Sequence, residues 1–464
     1  MKMKQSHMFI PVIMLLACIA NACTQNASQD WPQYLGPYRN GTSDQKGILR
    51  SWPEKGPDVL WTANLGIGFG GPVVKNGKVY LLDRDDATGD TLKCFNLSSG
   101  KELWSFGYKA PGSFMFPGSR SVPALDGDRI YTCGPFGDLY CLDINTHKPV
   151  WKKNIWTDFG GGEVPGWAIT QCPLIYGDLL IVASQAPQTG VVAYDKLTGD
   201  IKWKTQSLGG VGYASPAIAK IGEEDQIVML TAPERAPFGP PPKDGQWQEP
   251  PIIANGKVVG INPLTGAVLW EYTGWQCEIP VAPAMDAGEG RVLVTGGYEA
   301  GAAMIKIEKK ADGSYNVTEL YKNAEFGVHT MPPVIYKGCF YAQCSTNERK
   351  NGLVCMSMDG QTKWKTGRKP LFDKGGLILA DGLILATDGR KTLYVIEPDS
   401  SGFKPLVSAE ALKEGGTGST NNPNYDQLAA EFGGSTQNWA PMALADGKLL
   451  IRDQRHLLCV RVTR

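Results

Sequence analysis

The sequence predicts an all-β fold, an eight-bladed β-propeller of four-stranded antiparallel blades, and three observations support this prediction. One hairpin recurs along the chain: a short apolar strand, a turn often spelled Thr-Gly, and a strand that ends on Trp. The segments between these hairpins alternate apolar and polar residues with period two, which is typical of strands. One copy cannot bury its own apolar face, so the copies must stack or close into a ring.

The copies are counted at one slot in the strand before the turn. This slot recurs about every 52 residues, which is the size of a four-stranded propeller blade. It is occupied by Cys94, Cys141, Ala193, Gly260, Lys306, Cys355, Val395 and Cys459. The predicted order within a blade is strand A, turn, strand B, loop, strand C, turn, strand D. A seven-bladed ring is the alternative, if the degenerate copy at Val395 is misread.

The two ends of the chain predict how the ring closes. The copy at Cys459 stops at Arg464 before it reaches a strand D, whereas an unpartnered strand D that carries Trp61 begins at Asp58. We expect this N-terminal strand to complete the eighth blade, because closure removes the exposed sheet edges. The propeller is therefore assigned to residues 58–464.

Composition excludes one class of partner. The formal net charge of the 464-residue chain is zero, and no stripe or cluster of Lys and Arg is present. A nucleic-acid-binding surface needs such a basic patch. We therefore expect a protein that binds no nucleic acid, and we expect it to be a monomer.

The first residues predict export. Two lysines precede an apolar run of about 13 residues, which is too short to span a bilayer but suits a secretory signal. Cys18 and Cys23 follow small residues, as the lipidated cysteine of a bacterial lipoprotein does. We expect residues 1–23 to be a lipoprotein-type signal peptide, residues 24–57 a tether and leader, and a lipid anchor the only membrane attachment. Cleavage after Ala22 without lipidation is the alternative. The predicted location is the cell envelope, periplasmic or at the outer membrane.

The repeated Cys and Trp positions predict packing rather than chemistry. Four cysteines occupy the slot that holds Ala or Gly in other copies, and free Cys packs as a small hydrophobic residue. A disulfide between Cys133 and Cys141, or between Cys344 and Cys355, stays open, and the cysteine spacings indicate no metal site. The Trp residues of strand D, expected between blades, are Trp61, Trp104, Trp151, Trp203, Trp270 and Trp364.

Two further motifs are interpreted as loops. Residues 66–71 match G-x-G-x-x-G, but Pro72 and a strand follow instead of the helix that dinucleotide binding requires, which favours a tight loop near the ring axis. An acidic cluster is interpreted as a solvated loop between strands B and C, with calcium binding as the alternative. It comprises Asp83, Asp85, Asp86 and Asp90.

The residues that interrupt the repeat point to a binding site. The loops from strand D of one blade to strand A of the next crowd around the mouth of the central channel, where a rigid scaffold holds functional residues. The candidates in these loops are Arg120, Trp167, Gln171, Tyr213, Glu278, His329, Lys374 and Trp439. Such charged groups and aromatic rings predict an anionic or planar ligand. A hydrated channel of mixed charge is the alternative.

Two insertions break the period and are predicted to be surfaces for a partner or a substrate. Residues 233–255 interrupt blade 4 between strands B and C and are too rich in Pro for a helix or a central strand. Residues 408–437 separate blades 7 and 8, with short helices expected at 409–414 and 425–432. Long loops in compact domains are often lids or binding loops.

These motifs resemble the PQQ-like β-propeller repeat, which quinoprotein alcohol dehydrogenases share with BamB-type outer-membrane assembly lipoproteins. The resemblance covers residues 58–464, and residues 195–203 carry its Asp-x-x-Thr-Gly-x-x-x-Trp core. Residues 30–43 look like the opening of many secreted bacterial proteins of this type. Residues 433–441 resemble a cofactor-contacting stretch near the C-terminus of the dehydrogenases.

The resemblance implies two functions, because the fold alone does not decide between them. The first is a cell-envelope lipoprotein that serves as a scaffold and binds a protein partner or a small ligand at the channel mouth. The lipoprotein-like leader favours it. The alternative is a quinoprotein dehydrogenase that oxidises alcohols or sugars with PQQ and calcium.

Under the dehydrogenase alternative, the resemblance implies that Arg120 pairs with cofactor carboxylates, Trp439 stacks on the cofactor and Glu278 binds calcium. It implies cofactor-binding roles for Lys374 and Asn438 as well. The chain departs from the dehydrogenases in having no pair of adjacent cysteines, whose disulfide covers one face of their cofactor. The base Asp of those enzymes has no assigned counterpart here. Ligand-binding roles under either function are assigned to Trp167, Gln171, Tyr213 and His329.

Overall fold

The structure is a closed ring of eight four-stranded antiparallel sheets. This computed structural model describes residues 30–114, 116–236, 250–346, 349–412 and 437–464. The prediction of eight blades is confirmed, and the seven-bladed alternative is wrong because the copy at Val395 forms a complete blade. Cys18 and Cys23 lie outside the described residues.

Each blade runs from strand A at the channel to strand D at the rim. Strands A are Val73–Lys75, Ala124–Asp126, Leu174–Tyr176, Ala217–Ile221, Met285–Gly288, Val334–Tyr336, Leu377–Ala380 and Ala443–Ala445. Strands B are Lys78–Asp85, Arg129–Cys133, Leu179–Ala186, Glu224–Leu230, Arg291–Gly296, Cys339–Ser345, Leu383–Thr387 and Lys448–Arg452. Strands C are Gly89–Asn96, Asp138–Asp143, Thr189–Asp195, Val258–Ile261, Gly301–Lys309, Lys350–Ser357, Thr392–Glu397 and His456–Arg461. Strands D are Glu102–Lys109, Lys148–Asn154, Ile201–Lys204, Val268–Tyr272, Tyr315–Asn323, Thr362–Lys365, Lys404–Glu410 and Val59–Asn64.

The burial of each strand follows its place in the blade. Leu179–Ala186, a strand B, is buried along its whole length because neighbouring blades cover both of its faces. Glu102–Lys109, a strand D, alternates between half-buried and exposed residues, as expected for an edge with one solvated face. The only helix among the described residues is one 3₁₀ turn, Thr157–Phe159, and no described helix is long and apolar enough to cross a membrane.

The N-terminal strand closes the ring as predicted. Val59–Asn64 pairs antiparallel with His456–Arg461, and Trp61 lies opposite Cys459. The eighth blade is therefore built from both ends of the chain, and its sheet has the same order as the others.

The repeated Trp residues pack between blades, as predicted. In several blades the indole Nε1 donates to a carbonyl oxygen in the C–D turn of the next blade: Trp203 donates to Pro263 over 3.0 Å, and Trp364 donates to Asp399 over 2.7 Å. The Gly of that turn lies against the indole ring. A Cβ on Gly266 would come within 2.5 Å of the Trp203 ring, so the Thr-Gly spelling of the turn makes room for the Trp.

The cysteines are packing residues. All nine in the described part of the chain are buried and free, and neither disulfide that the sequence left open is formed there. The strand register explains the result, because Cys141 lies opposite Tyr131 and Cys355 lies opposite Tyr341.

Half of the acidic segment is a buried ion-pair network, so its interpretation as a solvated loop is wrong for Asp83 and Asp90. Asp85 is exposed, and the half-buried Asp86 lies in the turn between strands B and C. Asp83 and Asp90 lie within strands B and C of blade 1 and are both buried. Arg84 pairs with Asp90 over 3.0 Å, and Lys93 pairs with Asp83 over 2.8 Å. The described residues contain no group of His, Cys, Asp and Glu side chains arranged for a metal ion.

The loop predicted at residues 66–71 packs closely against neighbouring backbone. Asp83 accepts a hydrogen bond from the Gly66 backbone N–H, and the N–H groups of Phe69 and Gly70 donate to Ser119 O. A Cβ on Gly71 would lie 2.7 Å from Pro441 O, so a side chain has no room there.

The two insertions are partly described. The insertion in blade 4 follows strand B as predicted, and its two ends pair as a short ribbon, Glu234–Arg235 with Ile252–Ala254. The helix expected at 409–414 is wrong at its start, because residues 409 and 410 belong to strand D of blade 7. The helix expected at 425–432 lies outside the described residues.

Residues 30–57 lie against the ring and cross one end of its channel. Trp31 exchanges backbone hydrogen bonds with Val74 of blade 1, Arg39 donates to carbonyl oxygens before blades 3 and 4, and Thr42–Ser43 pairs in parallel with strand A of blade 7. Tyr34 and Leu35, which lie between these contacts along the leader, are buried in the hydrophobic core. The leader therefore closes the end of the channel at which strands A turn into strands B.

Candidate functional site

A blind pocket occupies the other end of the channel, where the D–A loops meet. We call it the axial pocket; its cavity is about 240 Å³. Every one of the eight D–A loops contributes to its wall, through Phe69, Phe116 and Arg120, Trp167, Tyr213, Ile279, His329, Lys374 and Trp439. Tyr34 of the leader and Met331 also line it, and the Tyr34 hydroxyl donates to the Met331 sulfur over 3.9 Å. A ring of short loops thus brings together side chains that are far apart in sequence.

Two cations lie in the wall. Lys374 is 6% exposed; its Nζ is 3.1 Å from Asp373 Oδ1 and 4.7 Å from the centre of the Trp439 ring. Arg120 donates to the backbone oxygens of Trp167 and Phe116. Its guanidinium has no ion-pair partner among the described residues, and burial lowers its pKa to about 10. Arg120 still carries its charge at neutral pH, so it presents positive charge that no carboxylate neutralises directly.

Aromatic rings form two groups in the wall. Trp439 stacks on Phe69 with ring centres 5.7 Å apart. On another side Trp167 lies 5.3 Å from Tyr213 and 6.3 Å from Tyr298. Flat surfaces of this kind bind planar ligands, and the Trp rings are the strongest cation-binding faces.

His329 is neutral. Burial, with the nearby charges of Lys374 and Lys350, lowers the pKa of its imidazole to about 3. Its ring lies 4.9 Å from that of Tyr298. The positive charge of the axial pocket therefore comes from Arg120 and from Lys374, whose charge Asp373 partly offsets, and His329 adds a polar aromatic surface.

Several polar atoms of the wall are buried without a hydrogen-bond partner within the described structure. They include Trp167 Nε1, Trp439 Nε1 and Arg120 Nε, all of which are donors. Buried donors without acceptors cost free energy and call for an explanation. No Asp or Glu stands among the described lining residues. The pocket thus offers donors, cations and rings without a lining carboxylate.

Six of the predicted site residues meet in the axial pocket: Arg120, Trp167, Tyr213, His329, Lys374 and Trp439. Three others lie outside its lining. Glu278 is half exposed and pairs with Arg235 of the blade 4 insertion over 2.8 Å. Gln171 is buried and bridges Ala183 N and Ala214 O. The Asn438 amide donates to the Arg390 backbone oxygen.

The sequence interpretation missed four ring-bearing residues of the pocket: Tyr34, Phe69, Phe116 and Tyr298. The sequence could have predicted Phe69, since the predicted closure of the ring makes residues 65–72 the loop between blades 8 and 1. It could not have predicted Tyr34, because this residue comes from the leader rather than from the repeat. Tyr298 lies in a B–C loop and reaches the pocket with φ +52, a conformation that spacing does not reveal.

A family model described as outer membrane protein assembly factor BamB matches residues 88–311. Among curated proteins, the 1-butanol dehydrogenase (quinone) of Thauera butanivorans is 26% identical over 45% of this chain and 33% of its own length. The quinoprotein ethanol dehydrogenase of Pseudomonas aeruginosa is 24% identical over 55% of this chain and 37% of its own length. The chain thus spans about a third of the length of these relatives.

Solved structures share the architecture. The quinohemoprotein alcohol dehydrogenase from Comamonas testosteroni superposes with a TM-score of 0.62 at 14% identity, covering 95% of this chain and 82% of that one. BamB from Moraxella catarrhalis superposes with a TM-score of 0.53 at 12% identity, covering 87% of this chain and 99% of that one. At such identities the likeness concerns the fold, which enzymes and an assembly factor share.

Proposed function

Because this chain belongs to the PQQ-like β-propeller family, we propose that it is a binding protein of the cell envelope whose axial pocket holds a small, planar, anionic ligand. One observation carries the proposal: the pocket combines Arg120 and Lys374 with stacked aromatic rings and has no carboxylate among its described lining residues. Cations attract a carboxylate ligand, and rings stack on its planar body.

The cofactor of the quinoprotein relatives fits this chemistry in one respect. PQQ is planar and carries carboxylates, which Arg120 and Lys374 would hold while Trp439 stacks on the ring system. The calcium that accompanies it does not fit. Calcium takes oxygen ligands, chiefly carboxylates, whereas Glu278 points instead to Arg235 and the described lining contains neither Asp nor Glu.

Alcohol oxidation also needs a general base beside the reacting carbon. The described lining offers no carboxylate for this role, and His329 is buried with a low pKa. Binding without oxidation is therefore the function that the described residues support best. The quinoprotein dehydrogenase is the second candidate, and the similarity to the two alcohol dehydrogenases favours it.

Calorimetric titration tests the proposal, with PQQ as the planar tricarboxylate probe and phenazine as a neutral planar control. We expect PQQ to bind and phenazine to bind at least tenfold more weakly. Arg120→Gln and Lys374→Gln should each weaken PQQ binding about tenfold, which corresponds to about 1.4 kcal/mol. Lys55→Gln, at a lysine whose side chain is 75% exposed, is the matched control and should change nothing. Equal affinity for phenazine would refute the proposal.

The same preparation separates the two candidates. PQQ, calcium, a panel of alcohols and sugars and a redox dye are added together, and dye reduction is followed. We expect no substrate-dependent reduction. Calcium-dependent turnover of any substrate would replace the binding proposal with the dehydrogenase.

The envelope location rests on the lipoprotein-like leader, with Cys18 or Cys23 as the lipidated residue. Labelling cells with a palmitate analogue tests this part of the proposal. We expect the natural chain to be labelled. We expect one of the two variants, Cys18→Ser or Cys23→Ser, to lose the label, and this variant identifies the lipidated cysteine. Secreted, unlabelled protein would instead support plain cleavage. Binding of a protein partner through the loops at the channel mouth stays a prediction.

A further inference from the structure

A second cavity lies at the opposite end of the ring axis. We call it the rear cavity; it measures about 530 Å³ and lies between residues 33–40 of the leader and the strands A of blades 3 to 6. Tyr34 lines it and the axial pocket alike, so this residue lies between the two spaces. The size suits a small organic molecule.

Arg39 is the unusual residue of this cavity. Its guanidinium donates to Pro173 O and Pro216 O, each over 3.2 Å, and to Gln33 Oε1 over 3.4 Å. These bonds use three of the five N–H donors of the guanidinium and all of them are long. No carboxylate lies within ion-pair distance of Arg39 in the described structure. Burial lowers its pKa to about 10, so it is a cation at neutral pH.

The backbone of Arg39 adds a second cost. Its φ is +53, a left-handed conformation that a residue with a Cβ rarely adopts. Arg39 is half-buried. A cation that is partly withdrawn from water without a carboxylate partner costs free energy, and a left-handed backbone adds to the cost. Both would be explained if the guanidinium is held there to meet an anion.

The other lining residues of the rear cavity indicate the chemistry of the rest of the ligand. Asp225 and Asp286 also line it, but Asp225 accepts from the Tyr176 hydroxyl and Asp286 accepts from the backbone N–H groups of Lys220 and Gly288. Three of their four carboxylate oxygens thus accept a hydrogen bond, and Nζ of Lys220, which also lines the cavity, lies 3.9 Å from the fourth, Asp225 Oδ1. The apolar part of the lining includes Met285, Ile335 and Met358.

We infer that the rear cavity binds a small organic carboxylate, with its oxygens on the Arg39 guanidinium and its apolar chain against Met285, Ile335 and Met358. A bidentate pair with a carboxylate uses the fork geometry of a guanidinium and supplies the missing counter-charge. This site is independent of the proposed function, because it lies on the other side of Tyr34 and uses a different arginine.

Hexanoate is the probe, with hexanamide as the neutral control of the same shape, and calorimetry or saturation-transfer NMR on the whole protein is the measurement. We expect hexanoate to bind and Arg39→Gln to weaken it at least tenfold. Arg120→Gln, in the axial pocket, is the matched control and should leave hexanoate binding unchanged. Arg39→Gln should in turn leave PQQ binding unchanged, so failure here is distinct from failure of the proposed function.

Three results would overturn the inference: no hexanoate binding at millimolar concentration, equal binding of hexanamide, or a loss caused by Arg120→Gln instead of Arg39→Gln. If Arg39→Gln does not fold, Met358→Trp replaces it, because it narrows the cavity at a half-buried position and leaves Arg39 unchanged. We expect this variant to weaken hexanoate binding about tenfold. Unchanged affinity in a folded Met358→Trp protein would also overturn the inference.

Discussion

The indole Nε1 of Trp61 donates a hydrogen bond to the backbone oxygen of Leu97 over 2.8 Å, and this bond joins blade 8 to blade 1. Trp61 comes from the N-terminal strand that completes blade 8, whereas Leu97 begins the C–D turn of blade 1. In the same turn Gly100 has φ +70, and a Cβ there would come within 2.6 Å of the Trp61 ring. The turn glycine therefore makes the ring closure sterically feasible.

Replacing this glycine should loosen the closure. We expect Gly100→Ala to lower the free energy of unfolding by about 3 kcal/mol, because it combines a left-handed backbone with overpacking against Trp61. Gly127→Ala is the matched control: Gly127 also has a positive φ, of +51, but a Cβ there meets nothing within 4 Å. It should cost about 1 kcal/mol. Urea unfolding followed by Trp fluorescence measures both, and equal losses would contradict a specific contact with Trp61.

The ion-pair network of blade 1 gives a second prediction. Arg84 and Asp90 are 3.0 Å apart with fully buried side chains, and Arg84 also donates to Ala110 O and Gly112 O. Arg84→Met leaves Asp90 as a buried charge without its partner, so we expect a loss of about 3–5 kcal/mol in unfolding free energy. The double variant Arg84→Met with Asp90→Leu should lose less than the single variant, because both charges are then gone.

An exposed pair provides the control for this network. Lys55 and Asp58 are 3.5 Å apart with side chains 75% and 53% exposed, and solvent screens such a pair. Lys55→Met should therefore change thermal stability hardly at all. If Arg84→Met were as harmless as Lys55→Met, the network would have no structural role.

The low pKa of His329 predicts how acid affects stability. Burial lowers the pKa to about 3 from an ordinary value of 6.5, so below pH 6.5 the unfolded chain binds a proton that the folded protein does not. Stability should therefore fall as the pH drops from 6.5 towards 3, by up to about 1.4 kcal/mol per pH unit for this residue. Between pH 7 and pH 5 this amounts to about 2 kcal/mol.

His329→Gln removes this dependence and isolates it. We expect the variant to lose about 2 kcal/mol less than the natural protein between pH 7 and pH 5, since the other titrating groups are common to both. Urea unfolding at each pH is the measurement. Parallel pH curves for the two proteins would show that the imidazole is protonated in the folded state.

The repeat made the ring and most of the pocket predictable, because a residue just before strand A must lie at the channel mouth whatever its neighbours are. Arg120 and Trp439 follow from that rule. Glu278 obeys the same rule, but Arg235, from an insertion outside the repeat, holds its side chain away from the pocket. Pairs of this kind are set by tertiary contacts, so spacing along the chain does not reveal them. The pairing of the acidic cluster of blade 1 with Arg84 and Lys93 across two strands escaped prediction for the same reason.

The leader was predicted to precede the propeller, and its packing gives the last prediction. Trp31 is 2% exposed and lies against blade 1, whereas Tyr38, in the same leader, is 55% exposed. Trp31→Ala should cost about 3–5 kcal/mol, as for a large core side chain, and Tyr38→Ala should cost less than about 1 kcal/mol. Unfolding by urea compares the two. Equal, small effects would mean that the leader is dispensable to the ring, and a chain that begins at Asp58 should then be as stable as the longer one. A large effect of Trp31→Ala alone would mean that the leader, including Tyr34 between the two cavities, is an integral part of the fold.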